Sequence, residues 1–514
     1  MRLIFHIDVN SAFLSWTALE RLKTDPSLYL RTIPAIIGGD EKSRHGVVLA
    51  KSIPAKKYGI QTGEPVASAL RKCPFLHMEP PSHELYRKRS REMINLLLTY
   101  TSDIEQVSID ECYMDFTPIC HRFEDRLSNP ALHIHHTLSE KKITDCNISS
   151  DNFSHKISVA QTAARQIADR IRNELGFTVN IGIAPNKLLA KMASDFTKPD
   201  KVHTLFHEDI PVKMWPLSVR ELFMVGHSSA DRLMQLGIRT IGELAQSDPV
   251  LLQQHFKSHG KTMWEYANGI DNSPLNPDNH EVKGIGNSTT LSSDAKTAEE
   301  SKRVLLALAD QVSSRLRKAN QLAQTVTVEI KYNTFRSCSR QTQLSTPVST
   351  SGILYDCACR LFDELWDGTP IRLLGIRTSK LVPDNTPVQL SLFDELFMSG
   401  TFSKTVNNTN HASKNISSKT GTVDKCISST IGTVSAAQSY RSADSPEKSV
   451  RSGDLSSGSP LSASQPISHS TLEKQKRLDQ AMDQIRQRYG KNAVVRGSFL
   501  KTAKETSDKN IEIS

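Results

Sequence analysis

Two periodicities alternate over the first 195 residues, and their order restricts the fold more than any other feature of the chain. Residues 3–9 read as a buried strand and 10–23 as a helix, and "YRKRSREMINLLLTY" (86–100) carries helical periodicity. "IEQVSI" and "CYMDF" read as two short strands. Ala160, Ala163, Ala164, Ile167, Ala168, Ile171 and Leu175 mark one face of a further helix, and Phe177, Val179, Ile181 and Ile183 alternate as in a strand before the helix "PNKLLAKMASDF". The order β-α-β-β-α-β is that of a split βαβ, ferredoxin-like sheet. "RTIPAIIGG" is another apolar strand ending in a Gly-Gly turn, which makes residues 34–80 an inserted subdomain. Residues 118–155 have no clean period and read as a second insertion.

Between the two short strands Asp110 and Glu111 stand side by side, at what the pattern makes a two-residue hairpin tip. Asp8 ends the first strand, which in such a sheet lies beside that tip. Three carboxylates gathered there repel one another and are costly to desolvate, unless hard divalent cations such as Mg²⁺ bind among them. The same residues also suit a plain polar turn beside an exposed strand end.

The rest of the chain divides by pattern. Residues 216–270 read as short helices, with "MVGHSSADRLMQLGIRTIGELA" as two helices around a Gly-containing turn; from 282 to 382 two helical patterns (298–318 and 352–366) alternate with β-rich runs. Residues 401–470 hold 26 Ser/Thr and two aromatics, Phe402 and Tyr440, too little apolar surface to offset chain entropy, so 399–470 is expected to be a disordered linker. A patterned segment returns at 471–499, where Leu478, Met482, Ile485 and Tyr489 share one helical face with no core expected for them to join.

Composition excludes little and favours some partners. With 64 Lys+Arg against 55 Asp+Glu, the net charge of +9 suits a polyanion such as nucleic acid, although a basic enzyme of another kind has the same balance. The eight cysteines form no CxxC pair. Asp8 interrupts the N-terminal apolar stretch too early for a signal peptide, and no run of about 18 apolar residues occurs. A soluble cytoplasmic protein with reduced thiols and no membrane contact is expected. The Cys and His residues between Cys120 and His155 are too irregularly spaced to read as a zinc site.

"FHIDVNSAFLSW", "VSIDECYMDF", "VNIGIAPNKLLAKMASDFTKPDK" and the later helix-hairpin-helix, taken in order over roughly residues 1–393, resemble the Y-family (DinB/UmuC-type) translesion DNA polymerases. The resemblance implies an α+β (α/β) chain. It places palm and fingers over 1–215 (fingers about 34–80), a helix-hairpin-helix thumb over 216–275 and an α/β little finger over 282–385. It implies two Mg²⁺ ions held by Asp8, Asp110, Glu111 and the Val9 carbonyl, and template-directed transfer of dNTPs to a primer 3′-hydroxyl by a low-fidelity monomer. Phe13 falls on the family's steric gate and Lys187 on its triphosphate lysine, with Lys191 a second candidate. Lys56 and Ile53 stand where an Arg and a Tyr are common, Asn10 where many members have Asp, and Met224 on a usual Gly near the retained Gly226. Lys331, Arg336, Arg340 and Arg377 are candidate phosphate contacts.

"QLSLF" (389–393) resembles the bacterial sliding-clamp-binding pentapeptide, with Gln389 as polar anchor and Leu390, Leu392 and Phe393 for the apolar groove. The segment 474–496 resembles the N-terminal oligomerisation element of the recombinase RecA, which implies RecA as a partner docked through Leu478, Met482, Ile485 and Tyr489; the alternative is a helix that folds back on the core of this chain. Two rivals are a DNA-bound scaffold weakened in catalysis and a nucleotide cyclase. "GGDE" (38–41) suggests the latter, but it lies outside the hairpin position that such enzymes use.

Overall fold

β1 (Ile4–Val9) is buried along its whole length because it is the middle strand of a five-stranded sheet ordered β5-β6-β1-β7-β8. The computed structural model describes residues 2–39, 46–128, 150–277, 282–385, 469–490 and 493–494. β1 pairs antiparallel with β6 (Glu111–Asp115) on one side and β7 (Val179–Ala184) on the other. β5 (Ile104–Gln106) and β8 (Val202–Thr204) form the edges. With α1 (Ala12–Thr24) following β1, the first four strands by position give the ferredoxin-like order, extended by β8.

Alternation along β1 divides its side chains between two cores. Phe5, Ile7 and Val9 pack with Trp16 of α1, Met93 of α4 (His83–Leu98) and Ala163 and Ile167 of α6 (Ser150–Leu175). Ile4 faces the other way, onto α7 (Lys187–Asp195), and His6 and Asp8 share its face. Gly182, opposite His6 on β7, lets α7 come close: a Cβ there would stand 2.0 Å from the Ala190 carbonyl oxygen. The core of α7 is continuous with that of α8 (His227–Gln235), α9 (Ile241–Ala245), α10 (Pro249–Phe256) and α11 (Ser258–Ala267), so these four helices are packed on the sheet's α7 side.

The described residues of 34–80 fold as a small sheet ordered β3-β2-β4, from β2 (Ala35–Gly38), β3 (Val48–Lys51) and β4 (His77–Glu79), over α2 (Ile53–Lys57) and α3 (Val66–Lys72). A forked pair from Arg21 of α1 to the buried Glu79, at 2.9 and 2.6 Å, ties this unit to the main sheet. Gly38 ends β2, far in sequence from the β5–β6 hairpin.

Residues 284–383 form a second antiparallel sheet ordered β11-β10-β12-β9: β9 (Gly284–Ala295), β10 (Gln321–Tyr332), β11 (Ser337–Val348) and β12 (Ile371–Pro383). α12 (Ala298–Lys318), started by a Thr297–Glu300 capping box, and α13 (Ser351–Leu365) cover one face.

Three expectations need correction. The β5–β6 connection runs over Val107–Asp110, not two residues, because Ser108 Oγ accepts from the amides of both Asp110 and Glu111 and builds a wider turn; Glu111 is the first residue of β6. Part of 118–155 is helical: α5 (Cys120–Ser128) lies there and α6 starts at Ser150, ahead of the apolar face that anchors it. The terminal segment, α14 (His469–Tyr489), is not without a seat, since its polar side rests on α12 and α13. The pentapeptide 389–393 and residues 399–468 of the expected linker lie outside the described residues, while its last two, 469 and 470, already belong to α14.

Candidate active site

The register of β1 against β6 sets Asp8 directly opposite Glu111, and strand alternation turns both toward α7. Asp110 precedes Glu111 in the turn, where its backbone carbonyl accepts from the Val9 amide at 3.1 Å and its carboxylate accepts from Ser108 Oγ at 2.6 Å. The three acidic residues therefore gather at one end of the sheet's inner strands. Two ammonium groups stand among them: Lys191 of α7 lies 2.8 Å from Glu111 and 3.5 Å from Asp8, and Lys198 lies 2.6 Å from Asp8.

The electrostatics follow from this crowding. Burial lifts the Glu111 carboxyl above its usual range, opposed by Lys191 and reinforced by the charges of Asp8 and Asp110. Burial alone would lower the Lys191 ammonium, but Asp8, Glu111 and Asp195 outweigh it and hold the group protonated well beyond its usual range. His6, wholly buried beneath the acids, is kept neutral by burial and by Lys191 and Lys198. Its Nδ1 bonds Ser194 Oγ at 2.8 Å, and its unpartnered Nε2 lies 3.9 Å from Glu111.

Among the described residues no three His, Cys, Asp or Glu side chains enclose a metal ion as they stand, because Asp110 is turned onto Ser108 and the other two acids onto lysines. The donor set nonetheless fits hard divalent ions: the three acids supply oxygen donors, and cations already stand against two of them, Glu111 and Asp8.

A buried amide network fixes the turn that carries Lys198. Asn180, opposite Asp8 on β7, donates to the carbonyls of Ser194 and Thr197 at 2.9 and 2.7 Å and accepts from Asn10 at 3.1 Å. Asn10 in turn accepts from the Asp200 amide at 2.9 Å. An amide serves here where a carboxylate could not, since Asn10 donates and accepts at once. Phe13 lies on the first turn of α1, stacked on the buried Tyr86 with centroids 4.4 Å apart and planes 9° from parallel. That packing locks its ring beside the strand that carries Asp8.

Other expected residues lie elsewhere. Lys187 binds Glu105 of β5 at 2.7 and 2.8 Å and sits over the Tyr113 ring, in a clasp that also takes the Asn276 amide. Lys198, which the sequence pattern passed over, and Lys191 occupy the place beside the acids. Nothing in the helical period of α7 marks Lys198, which lies beyond its end. Ile53 and Lys56 are exposed on α2, Ile53 at 60%. Gly226 caps α8 with ordinary dihedrals, while Met224 carries the left-handed φ of 71° that suits glycine.

In the second sheet Arg377 lies opposite Thr327 and Lys331 opposite Ser337, on the face away from the helices. Arg340 lies opposite the buried Val328, on the helix side, and pairs with Glu364 of α13 at 2.7 Å; Arg336 pairs with Asp367. Only two of the four expected cations therefore share the open face.

This sheet, with acids at the end of its middle strand and on the adjoining hairpin, is the framework of the palm polymerases. Residues 7–195 match the model described as the impB/mucB/samB family, and residues 282–392 match the C-terminal domain of that family. The chain is 47% identical to DNA polymerase IV of Clostridium acetobutylicum over 394 residues, covering 77% of this chain and 90% of the relative. It is 37% identical to DNA polymerase IV 1 of Bacillus subtilis, covering 76% and 85%. The fold also matches a solved Y-family DNA polymerase chimera with a TM-score of 0.60 and 21% identity, over 74% of this chain and 99% of the other. The chain belongs to the impB/mucB/samB family, the Y-family translesion DNA polymerases, whose members use divalent metal, and it is a DNA-directed DNA polymerase.

If the lysines stand in for cations, removing one exposes carboxylate repulsion that only metal relieves. Lys191→Met should lower the melting temperature in chelator by on the order of 5 °C, and saturating Mn²⁺ should raise the variant's melting temperature more than the wild type's. Equal metal-induced shifts in scanning calorimetry would contradict this reading.

Proposed function

We propose that the enzyme extends a primer on template DNA with dNTPs through two Mg²⁺ ions held by Asp8, Asp110, Glu111 and the Val9 carbonyl; the observation that carries this reading is the Asp8–Glu111 pair across β1 and β6. The ions, when bound, would supply the lowered pKa of the primer 3′-hydroxyl and the charge that holds the triphosphate.

The protein's own groups have defined tasks. Lys191 and Lys198 neutralise the acids at rest, 2.8 and 2.6 Å away. Were the acids to hold metal, both ammoniums would exchange them for the oxygens of the incoming triphosphate. Asn10 and Asn180 keep the Lys198 turn in place during this exchange. Neutral His6, whose Nδ1 donates to Ser194 Oγ because that hydroxyl donates to the Lys191 carbonyl, adds no positive charge to compete for metal. Phe13, immobilised on Tyr86, closes the space a 2′-hydroxyl would need. Lys187 secures the connection after α11 through Glu105 and Asn276 rather than touching nucleotide.

Duplex is held by phosphate contacts, with Lys331 and Arg377 on the open face of the second sheet and the α8 N-terminus at Gly226. Arg336 and Arg340 join only by leaving Asp367 and Glu364. The pentapeptide 389–393 tethers a cytoplasmic monomer to the sliding clamp, and the tail recruits it to RecA.

In primer extension with Mg²⁺, wild type should incorporate dNTPs opposite undamaged and abasic template positions, and Asp110→Asn should lose on the order of 10³-fold or more in rate. Phe13→Ala should admit rNTPs that wild type rejects. An active Asp110→Asn enzyme would remove the metal assignment, and unchanged sugar selectivity would remove the gate. Replacing Leu392 and Phe393 together by Ala should abolish stimulation by the clamp while leaving distributive synthesis intact; stimulation that survives would sink the tether.

A further inference from the structure

On α14, Asp479 and Asp483 turn inward while Leu478, Ile485 and Tyr489 turn outward, the reverse of an ordinary surface helix. Asp479, with a side chain only 2% exposed, accepts from the Ser351 amide and hydroxyl, each at 2.8 Å, and pairs with Arg317 at 3.3 Å. Ser351 opens α13, whose own N-cap, Thr350, makes no side-chain cap bond; Asp479 supplies that cap from another part of the chain, at the positive end of the helix dipole. Arg317, in the last turn of α12, also binds Asp483 at 2.7 Å. Lys476 reaches Asp384 at 2.8 Å. Gly352 allows the close approach, since a Cβ there would stand 2.5 Å from the Gln475 side chain.

The opposite side carries Leu478, Ala481, Ile485 and Tyr489, at spacings of three and four, with Leu478 58% and Tyr489 68% exposed. Between Lys474 and Tyr489 the exposed side bears Lys474, Arg477 and Arg488 and no acid, because both acids of that stretch are used in the seat. Met482 falls between the two sides and is half-buried.

We propose that α14 is fixed on the second sheet domain as a rigid display element, and that its outward Leu478–Ile485–Tyr489 stripe is a preformed ligand for an apolar, carboxylate-rimmed groove on a protein partner. The partner class follows from charge complementarity: an apolar stripe whose exposed flanking charges between Lys474 and Tyr489 are cations, among neutral glutamines, fits a groove bordered by acids, in the helix-in-groove mode. Three large side chains in a narrow row match such a groove better than the broad apolar face that a membrane surface takes. Preorganisation is the physical gain, since a helix already formed and seated loses little further entropy when it is bound. The proposal rests on the recombinase reading of the tail given above and adds how the tail is presented.

The test uses the full chain. Hydrogen exchange of the amides of 474–489 reports the seat, and binding to a RecA filament on single-stranded DNA, against the same DNA uncoated, reports the outward face. Arg317→Ala, which touches no partner, should speed exchange at least tenfold and weaken filament binding by about tenfold, because the competent population falls. Leu478→Ala with Ile485→Ala should keep the protection and lose filament binding by tenfold or more. Filament binding by Arg317→Ala as tight as wild type, or tighter, overturns the display. Loss of affinity for uncoated DNA in the double variant overturns a protein partner. Wild type that binds the filament through an unprotected helix defeats the display alone, whereas a protected helix that binds no filament defeats the recombinase reading and this assignment together.

Discussion

Everything at the acidic end of the first sheet depends on one cross-strand pair, Asp8 opposite Glu111, set by the antiparallel register of β1 and β6. A one-residue slip in that register would turn the acids onto opposite faces and aim one of them into the apolar core that holds Phe5 and Ile7. The register is protected because β1 is central, paired on both sides and buried on both faces. The acids can therefore crowd together without the sheet yielding, and lysines rather than distance relieve their repulsion.

The lysines are positioned by separate devices. Lys191 is placed by α7, held close by Gly182 and joined through a shared core to α8–α11. Lys198 is placed by hydrogen bonds, through Asn180 and Asn10 to the turn after α7. The clasp of Lys187 with Glu105 and Asn276, and the bond from the Leu188 amide to Asp271 at 3.1 Å, anchor the chain leaving α11 to the start of the same helix. α7 is thus the element through which the helical unit, the connection and the acidic site share one frame.

Much of this was legible in the sequence because it is periodic. The strand at 3–9, the helix at 298–318 and the β-α-β-β-α-β order are carried by local apolar spacing, and the three acids by their place in that order. What the sequence hid is non-local and polar. Ser108 widens a turn that otherwise reads as two residues, moving Glu111 into β6. Lys187 and Lys198 both lie in the region that resembles the family, and only tertiary geometry shows that the first meets Glu105 and the second Asp8. Arg340 looked like its neighbours until strand parity turned it to the helix side. The tail was the sharpest case: its apolar stripe suggested the side that binds, whereas Asp479 and Asp483 on the other side make the contacts seen here.

The central claim is that the acids brought together by β1 and β6 are the metal site, with DNA held elsewhere. Its most direct test is Mn²⁺ binding, followed by electron paramagnetic resonance, to the complex with a dideoxy-terminated primer on template and matched dNTP, compared between wild type and Asp8→Asn. The account predicts two bound ions in wild type, loss of metal binding in the variant, and unchanged affinity for primer-template. Full metal binding by Asp8→Asn would contradict it.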